Sequence, residues 1–142
     1  MSCLKIKVKQ GEEINIRFTL NQYVEEDGEK VKVPIDLQPE SGSPYSIKFQ
    51  VKKQPLVREE PIINKLLEVL VDPTEQEIYD ASITTGYIDD PHNGKFFVHF
   101  LPEDTSFNTG EYSLILSLVN EHLDDIISSS CCNGAKFIIY EQ

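Results

Sequence analysis

Three things are scarce in this chain: cysteine, long apolar runs, and positive charge beyond residue 58. The cysteines are Cys3, Cys131 and Cys132. An odd count with two adjacent members does not make a disulfide framework. Neighbouring cysteines bridge only through a strained ring. Zinc needs a closed set of four ligands, and His122 beside the Cys131-Cys132 pair lacks the paired spacing. Free thiols are therefore expected, which fits a reducing compartment. No apolar run approaches the roughly 20 residues of a membrane span. The opening Met1-Ser2-Cys3-Leu4-Lys5 alternates where a signal peptide would have an apolar stretch, so synthesis in a cytosol is the expectation. Tryptophan is absent altogether.

The shortage of positive charge is uneven. Up to Arg58 there are 10 Lys/Arg against 8 Asp/Glu, and from Glu59 onward 3 against 16. The first part is thus near +2 and the second near -13, for a total of -11. Such acidity repels a phosphate backbone and argues against nucleic-acid binding. Its plain reading is a solvated acidic surface. The sharper reading is that neighbouring copies dock positive face to negative face.

What is abundant is alternation. Leu4, Ile6 and Val8 alternate with Lys5, Lys7 and Lys9, giving a strand whose wet face carries a lysine comb of the kind that guards a sheet edge. Ile14, Ile16, Phe18 and Leu20 make a second strand. Asp27-Gly28, flanked by Glu25 and Lys30, is a two-residue hairpin signal. Pro34 confines the next segment to an edge, and residues 38 to 44 read as a loop. Tyr45, Ile47, Phe49 and Val51 then share one face of the cleanest strand. Between residues 53 and 82 the pattern changes. Ile62 to Val71 reads equally as a short helix or a strand. Asp72-Pro73-Thr74-Glu75 reads as a helix start, capped by a side chain with proline at the first position, leading into a helical turn through Tyr79-Asp80-Ala81.

Ile83 to Ile88 reads as a short strand broken by Gly86. The turn Asp89-Asp90-Pro91-His92-Asn93-Gly94 launches a strand with Phe96, Val98 and Phe100 on one face and Lys95, Phe97 and His99 on the other. Across an acidic corner at Pro102-Glu103-Asp104-Thr105 comes a strand bearing Tyr112, Leu114, Leu116 and Leu118. These two strands are expected to pair as the centre of an antiparallel sheet. Asn120 to Asp125 reads as an acidic loop, Ile126-Ile127 as the start of a further strand, and Ala135, Phe137 and Ile139 as the inner face of the last one. The expected fold is all-β: an immunoglobulin-like antiparallel β-sandwich of about seven strands, one domain over residues 1–142, with a short helical insertion at about 53–82. Tyr112, opening a late strand after a glycine corner, sits where such sandwiches tie a tyrosine hydroxyl to nearby backbone.

The order of these features resembles a group of small bacteriophage head and tail proteins, in particular the N-terminal domain of phage baseplate upper proteins. The residues that carry it are Asp27-Gly28, Pro34-Ile35-Asp36-Leu37, Ile47 to Lys52, Asp90 to Lys95, Leu101 to Thr105 with Gly110-Glu111-Tyr112, and Gly134 to Ile139. The resemblance spans most of the chain outside about residues 53 to 80. It implies an Ig-like virion structural protein of head, neck, tail or baseplate. Such a protein is made in the host cytoplasm and held in a symmetric particle by contacts with other virion proteins.

Chemistry in the residues themselves is sparse. There is no Ser or Cys nucleophile elbow, no HExxH and no phosphate-cradling glycine loop, so the chain reads as a non-enzyme without a cofactor. His92, His99 and His122 stand in a turn, a strand and an acidic loop. Asp89, Asp90, Asn93 and the Gly94 carbonyl offer hard oxygens for calcium, against the plainer reading of an Asx-rich turn bonding its own backbone. Glu103-Asp104-Thr105 reads as a capped turn. The alternative function is a carbohydrate- or cell-surface-binding module, for which Tyr23, Tyr79 and Tyr87 are the available platforms.

Overall fold

The computed structural model describes residues 5–40, 43–53, 60–121, 123–126 and 135–141. The protein is mostly β, with one short helix. Strands β1 (Lys5–Lys9), β2 (Ile14–Thr19), β3 (Asn21–Glu26), β4 (Glu29–Pro34), β5 (Ser46–Lys52) and β6 (Ile63–Leu67) lead into helix α1 (Glu75–Thr84). Then follow β7 (Gly86–Asp90), β8 (Lys95–Phe100), β9 (Gly110–Asn120), β10 (Leu123–Ile126) and β11 (Ala135–Tyr140). One sheet runs β1-β11-β9-β5-β6, with β10 also paired to β9; a second runs β2-β8-β7. The described residues thus form more strands than the seven expected from alternation, and β1 pairs with β11 in parallel, so the larger sheet is mixed.

The two sheets meet through phenylalanine. Phe49 of β5 lies 5.5 Å from Phe100 and 6.2 Å from Phe18, both on the smaller sheet, and 6.4 Å from Phe137 on its own. Phe18 in turn stacks on Phe96 at 5.2 Å. Ile47, Phe49 and Val51 are fully buried, as are Phe96, Val98 and Phe100, while Ile6, Val8, Ala135, Phe137 and Ile139 close the same core. Each triplet lies on one face because side chains alternate along a strand. The lysine comb stands where expected, exposed on β1 at the end of the larger sheet.

Four local expectations are corrected. First, β8 and β9 do not pair: β8 lies between β2 and β7, and β9 lies in the other sheet. The acidic corner between them is a 3-10 turn, Pro102–Thr105, that crosses from one sheet to the other. It is fastened to the first crossing, because the buried Thr105 hydroxyl donates to the Glu12 carbonyl at 2.8 Å and the Gly11 amide donates to Thr105 at 3.0 Å. Second, the helix cap is Thr74, not Asp72. The Thr74 hydroxyl accepts the Glu77 amide at 3.1 Å while the Thr74 amide donates to the Glu77 carboxylate at 3.3 Å, a reciprocal pair that Asp72 lacks. Third, Ile83 and Thr84 belong to the helix, which Thr85 caps, and Gly86, at φ +93, opens β7 rather than interrupting a strand. Fourth, Leu123–Ile126 is a strand turning back along β9, not an acidic loop.

The ambiguous Ile62 to Val71 stretch resolves as β6, paired to β5, so part of the expected insertion extends the larger sheet. Just beyond it, Val69 bridges Ile88 of β7 and the Ile88 amide donates to Glu68 at 3.0 Å, which draws the two sheets together along that side. β3 and β4 form a separate two-stranded hairpin whose turn residues Asp27 and Gly28 have φ of 51 and 79. Both being positive, this is the turn whose twist matches its strands. Tyr112 is buried and its hydroxyl donates to the Asn108 carbonyl four residues upstream, as expected from its place after Gly110. Tyr112→Phe is expected to lower stability by about 1 kcal/mol, the worth of one hydrogen bond, measured by urea denaturation. An unchanged midpoint would mean that the hydroxyl holds nothing.

Candidate interaction surfaces

Among the described residues, the polar groups singled out in the sequence are drawn into local structure. Asp89 pairs with Arg17 across the smaller sheet. The Asn93 amide donates to both carboxylate oxygens of Asp90, at 3.2 and 3.1 Å. The Gly94 carbonyl accepts the Leu20 amide at 2.9 Å. Of the four groups considered for calcium, Asp90 and Asn93 thus bond each other while Asp89 and the Gly94 carbonyl turn to Arg17 and Leu20, and among the described residues no three His, Cys, Asp or Glu side chains gather as metal ligands. Asp104 accepts the Leu101 amide at 2.8 Å, the capped turn expected there.

His92 faces Asp36 at 3.1 Å on the surface, where Asp36 also accepts the Gln38 amide at 3.0 Å. His99 is only 7% exposed. Its Nδ1 meets the Asn15 side chain and its Nε2 lies 3.0 Å from Glu13, so both ring nitrogens tie β8 to the neighbouring segment. His122, Cys3, Cys131 and Cys132 lie outside the residues whose side chains are described.

One charged residue escaped notice in the sequence. Lys65 sits on the inward face of β6 between the buried Ile63 and Leu67. Its ammonium reaches Asp104 at 2.9 Å and donates to the Thr84 carbonyl at 3.2 Å, at the end of α1. The helix has no basic residue in its own last turn, so Lys65 supplies from another strand the cation that a helix C-terminus favours. An inward charge on an edge strand also discourages pairing with strangers. The visible signal was a lysine interrupting an otherwise apolar Ile-x-Lys-x-Leu alternation.

Two features remain unfilled. Helix α1 buries none of its residues fully. Around it lie two adjoining hollows of about 340 and 460 Å³, which share Val69, Leu70 and Tyr87 in their walls. Leu66 and Val71 border the second at 48% and 73% exposed, and Ile78 of the helix borders the first. Their walls mix apolar side chains with the polar Gln38, Glu68, Thr84, Thr85 and Asp89. The exposed Glu68 stands in the wall of the second hollow. Tyr87 packs edge-on against Phe97 at 4.9 Å and so presents a fixed ring to both hollows. The second feature is the β3–β4 hairpin, on which Tyr23 is 68% exposed. The three tyrosines considered as sugar platforms stand on the hairpin, the helix and β7. No helix among the described residues is long and apolar enough to cross a membrane.

No protein-family model matches the chain, and comparison with curated proteins gives no match.

Proposed function

We propose that the chain is a structural subunit of a bacteriophage particle, in head, neck, tail or baseplate, and that its work is contact with neighbouring virion proteins. On this reading the body is an immunoglobulin-like sandwich. The tyrosine tied back to its own corner, the first strand lying parallel to the last, and the two sheets facing across a phenylalanine core support that assignment. The observation that carries the functional reading is the division of labour in the molecule. Among the described residues, the polar side chains that invited chemistry are taken up by local ties, while a separate two-stranded hairpin and two open hollows beside α1 are left at the surface. A subunit of this kind is made in the host cytoplasm and ends in the virion, where its acidic surface keeps it soluble before assembly. Mass spectrometry of purified particles from the source phage tests the proposal. The protein is expected at a fixed multiple of the copy number of other structural proteins, and its absence from particles would end the reading.

A further inference from the structure

We propose that the outer face of the larger sheet is a docking surface for a second copy of this chain, which it takes by the acidic stretch from Glu68 to Asp80 that runs into α1. This rests on the reading of the protein as an assembly subunit and names its first partner. Strand register sets the basic side. Lys5 of β1 lies beside Lys136 of β11, Lys136 beside Ser113 of β9, and Ser113 beside Lys52 of β5. Three lysines therefore stand in one row across four strands, all pointing away from the core. Like charges facing each other across neighbouring strands repel. Among the described residues none of the three has an ion pair. Lys7 and Lys9 share the face, beside Ile138 and the exposed Tyr140. Glu111, beside Ile138, is the one carboxylate among the described side chains that these four strands turn outward, and Glu12 and Glu141 follow at the Lys9 end. Five lysines with Glu111 make a face of +4 on a chain of -11, so everything else sums to -15. Guarding an open edge accounts for lysines on β1. It does not account for Lys136 and Lys52, whose strands lie inside the sheet.

The complement lies at the opposite edge. The order β1-β11-β9-β5-β6 puts β6 farthest from β1, four strand spacings or about 19 Å away. Helix α1 is fastened there, where Lys65 of β6 donates to the Thr84 carbonyl. Lys65 itself is paired with Asp104. From residue 66 to residue 94 the chain carries seven Asp/Glu and no Lys or Arg. Five of the seven, Glu68, Asp72, Glu75, Glu77 and Asp80, are exposed. Tyr79 and Ile83, four apart and so on one side of the helix, are 58% and 40% exposed and give apolar contact to set against Ile138 and Tyr140. Opposite charges around such a contact fix its register and partner. Because the two surfaces stand at opposite edges, a chain does not join its own. Each copy takes the next head to tail, and a contact of that kind builds a ring or a filament instead of closing as a twofold dimer.

Analytical ultracentrifugation of the full chain tests this, at an ionic strength of about 0.15 M, where the Debye length of about 8 Å screens the long-range repulsion between two acidic copies. The unaltered chain is expected to form assemblies larger than a dimer. They should shrink at about 1 M salt, where screening reaches in to about 3 Å. The pair Lys5→Gln with Lys136→Gln, and the pair Glu68→Gln with Asp80→Asn, are each expected to weaken association by at least about tenfold. Mixed in equal amounts, the two variants are expected to give a complex of two that grows no further, because each keeps one intact surface. Neither a loss of fold nor a contact of like faces would produce that. A chain that stays monomeric to about 1 mM, an assembly indifferent to these changes, or a mixture no tighter than its members would overturn the proposal. So would a single-stranded oligonucleotide that binds the unaltered chain and not the lysine variant, which would give the row to a phosphate backbone. A monomer that is nonetheless abundant in particles would sink the head-to-tail contact alone. An assembling chain that is missing from particles would sink the virion reading and leave the contact.

Discussion

Phe49→Ala is expected to destabilise the protein by about 3–5 kcal/mol, enough to remove much of a typical domain's margin. The reason is position rather than size alone. Phe49 is fully buried and touches rings from both sheets, with Phe100 and Phe18 on one side and Phe137 on the other. Deleting it removes the transfer free energy of the ring and leaves a cavity between two layers whose strands cannot move together without giving up their ladders. Urea denaturation followed by circular dichroism measures the loss. Phe97→Ala is the comparison, because Phe97 lies on the outer face of the same smaller sheet and is only half-buried, against Tyr87. It should cost clearly less than Phe49→Ala. If the two variants lose stability equally, the layers do not meet at Phe49.

The second large effect belongs to Gly86. Alanine there should cost roughly 3 kcal/mol, combining left-handed strain of about 1–2 kcal/mol with a comparable overpacking term. A methyl carbon at Gly86 would fall 2.1 Å from the Phe97 carbonyl oxygen, which is ladder backbone of β8 and has no flexible end to withdraw. Gly28 separates the two terms. Its φ of +79 is also left-handed, yet a methyl carbon there meets nothing within 4 Å. Gly28→Ala should therefore show the strain alone, about 1 kcal/mol. Chemical denaturation of the two variants side by side reads the difference. Equal losses would mean that conformation, and not the approach of β8, fixes glycine at residue 86.

Faces were legible in the sequence and partners were not. Ile47, Phe49 and Val51, or Phe96, Val98 and Phe100, announce a buried side because alternation is a local property of a strand. Which sheet a strand joins depends on residues far away. That is why β8 and β9, adjacent in sequence and both plainly strands, were wrongly expected to pair: the hydrogen bonds holding the corner at Thr105 come from Gly11 and Glu12. The helix start misled for a local reason. Asp72 and Thr74 both suit a cap, and only Glu77, three residues beyond Thr74, distinguishes them by reciprocating. In β6 the inward Lys65 broke the apolar count that would have declared a strand. The hollows beside α1 were hidden more deeply. Leu66, Val71 and Ile78 look like core residues in one dimension, and only the packing of α1 shows them left at the surface. The β3–β4 hairpin, by contrast, was nearly complete in Asp27-Gly28, because a two-residue turn carries its geometry within itself.

The parallel pairing of β1 with β11 has a consequence for how the molecule is born. Lys5 lies opposite Lys136 and Val8 opposite Ile139, so β1 leaves the ribosome well before the strand it pairs with exists. Through that interval Ile6 and Val8 have no core to enter, and the slow, long-range closure leaves a ready template for strangers. The three lysines between and beside them keep that nascent ribbon charged and dispersed until its mate arrives.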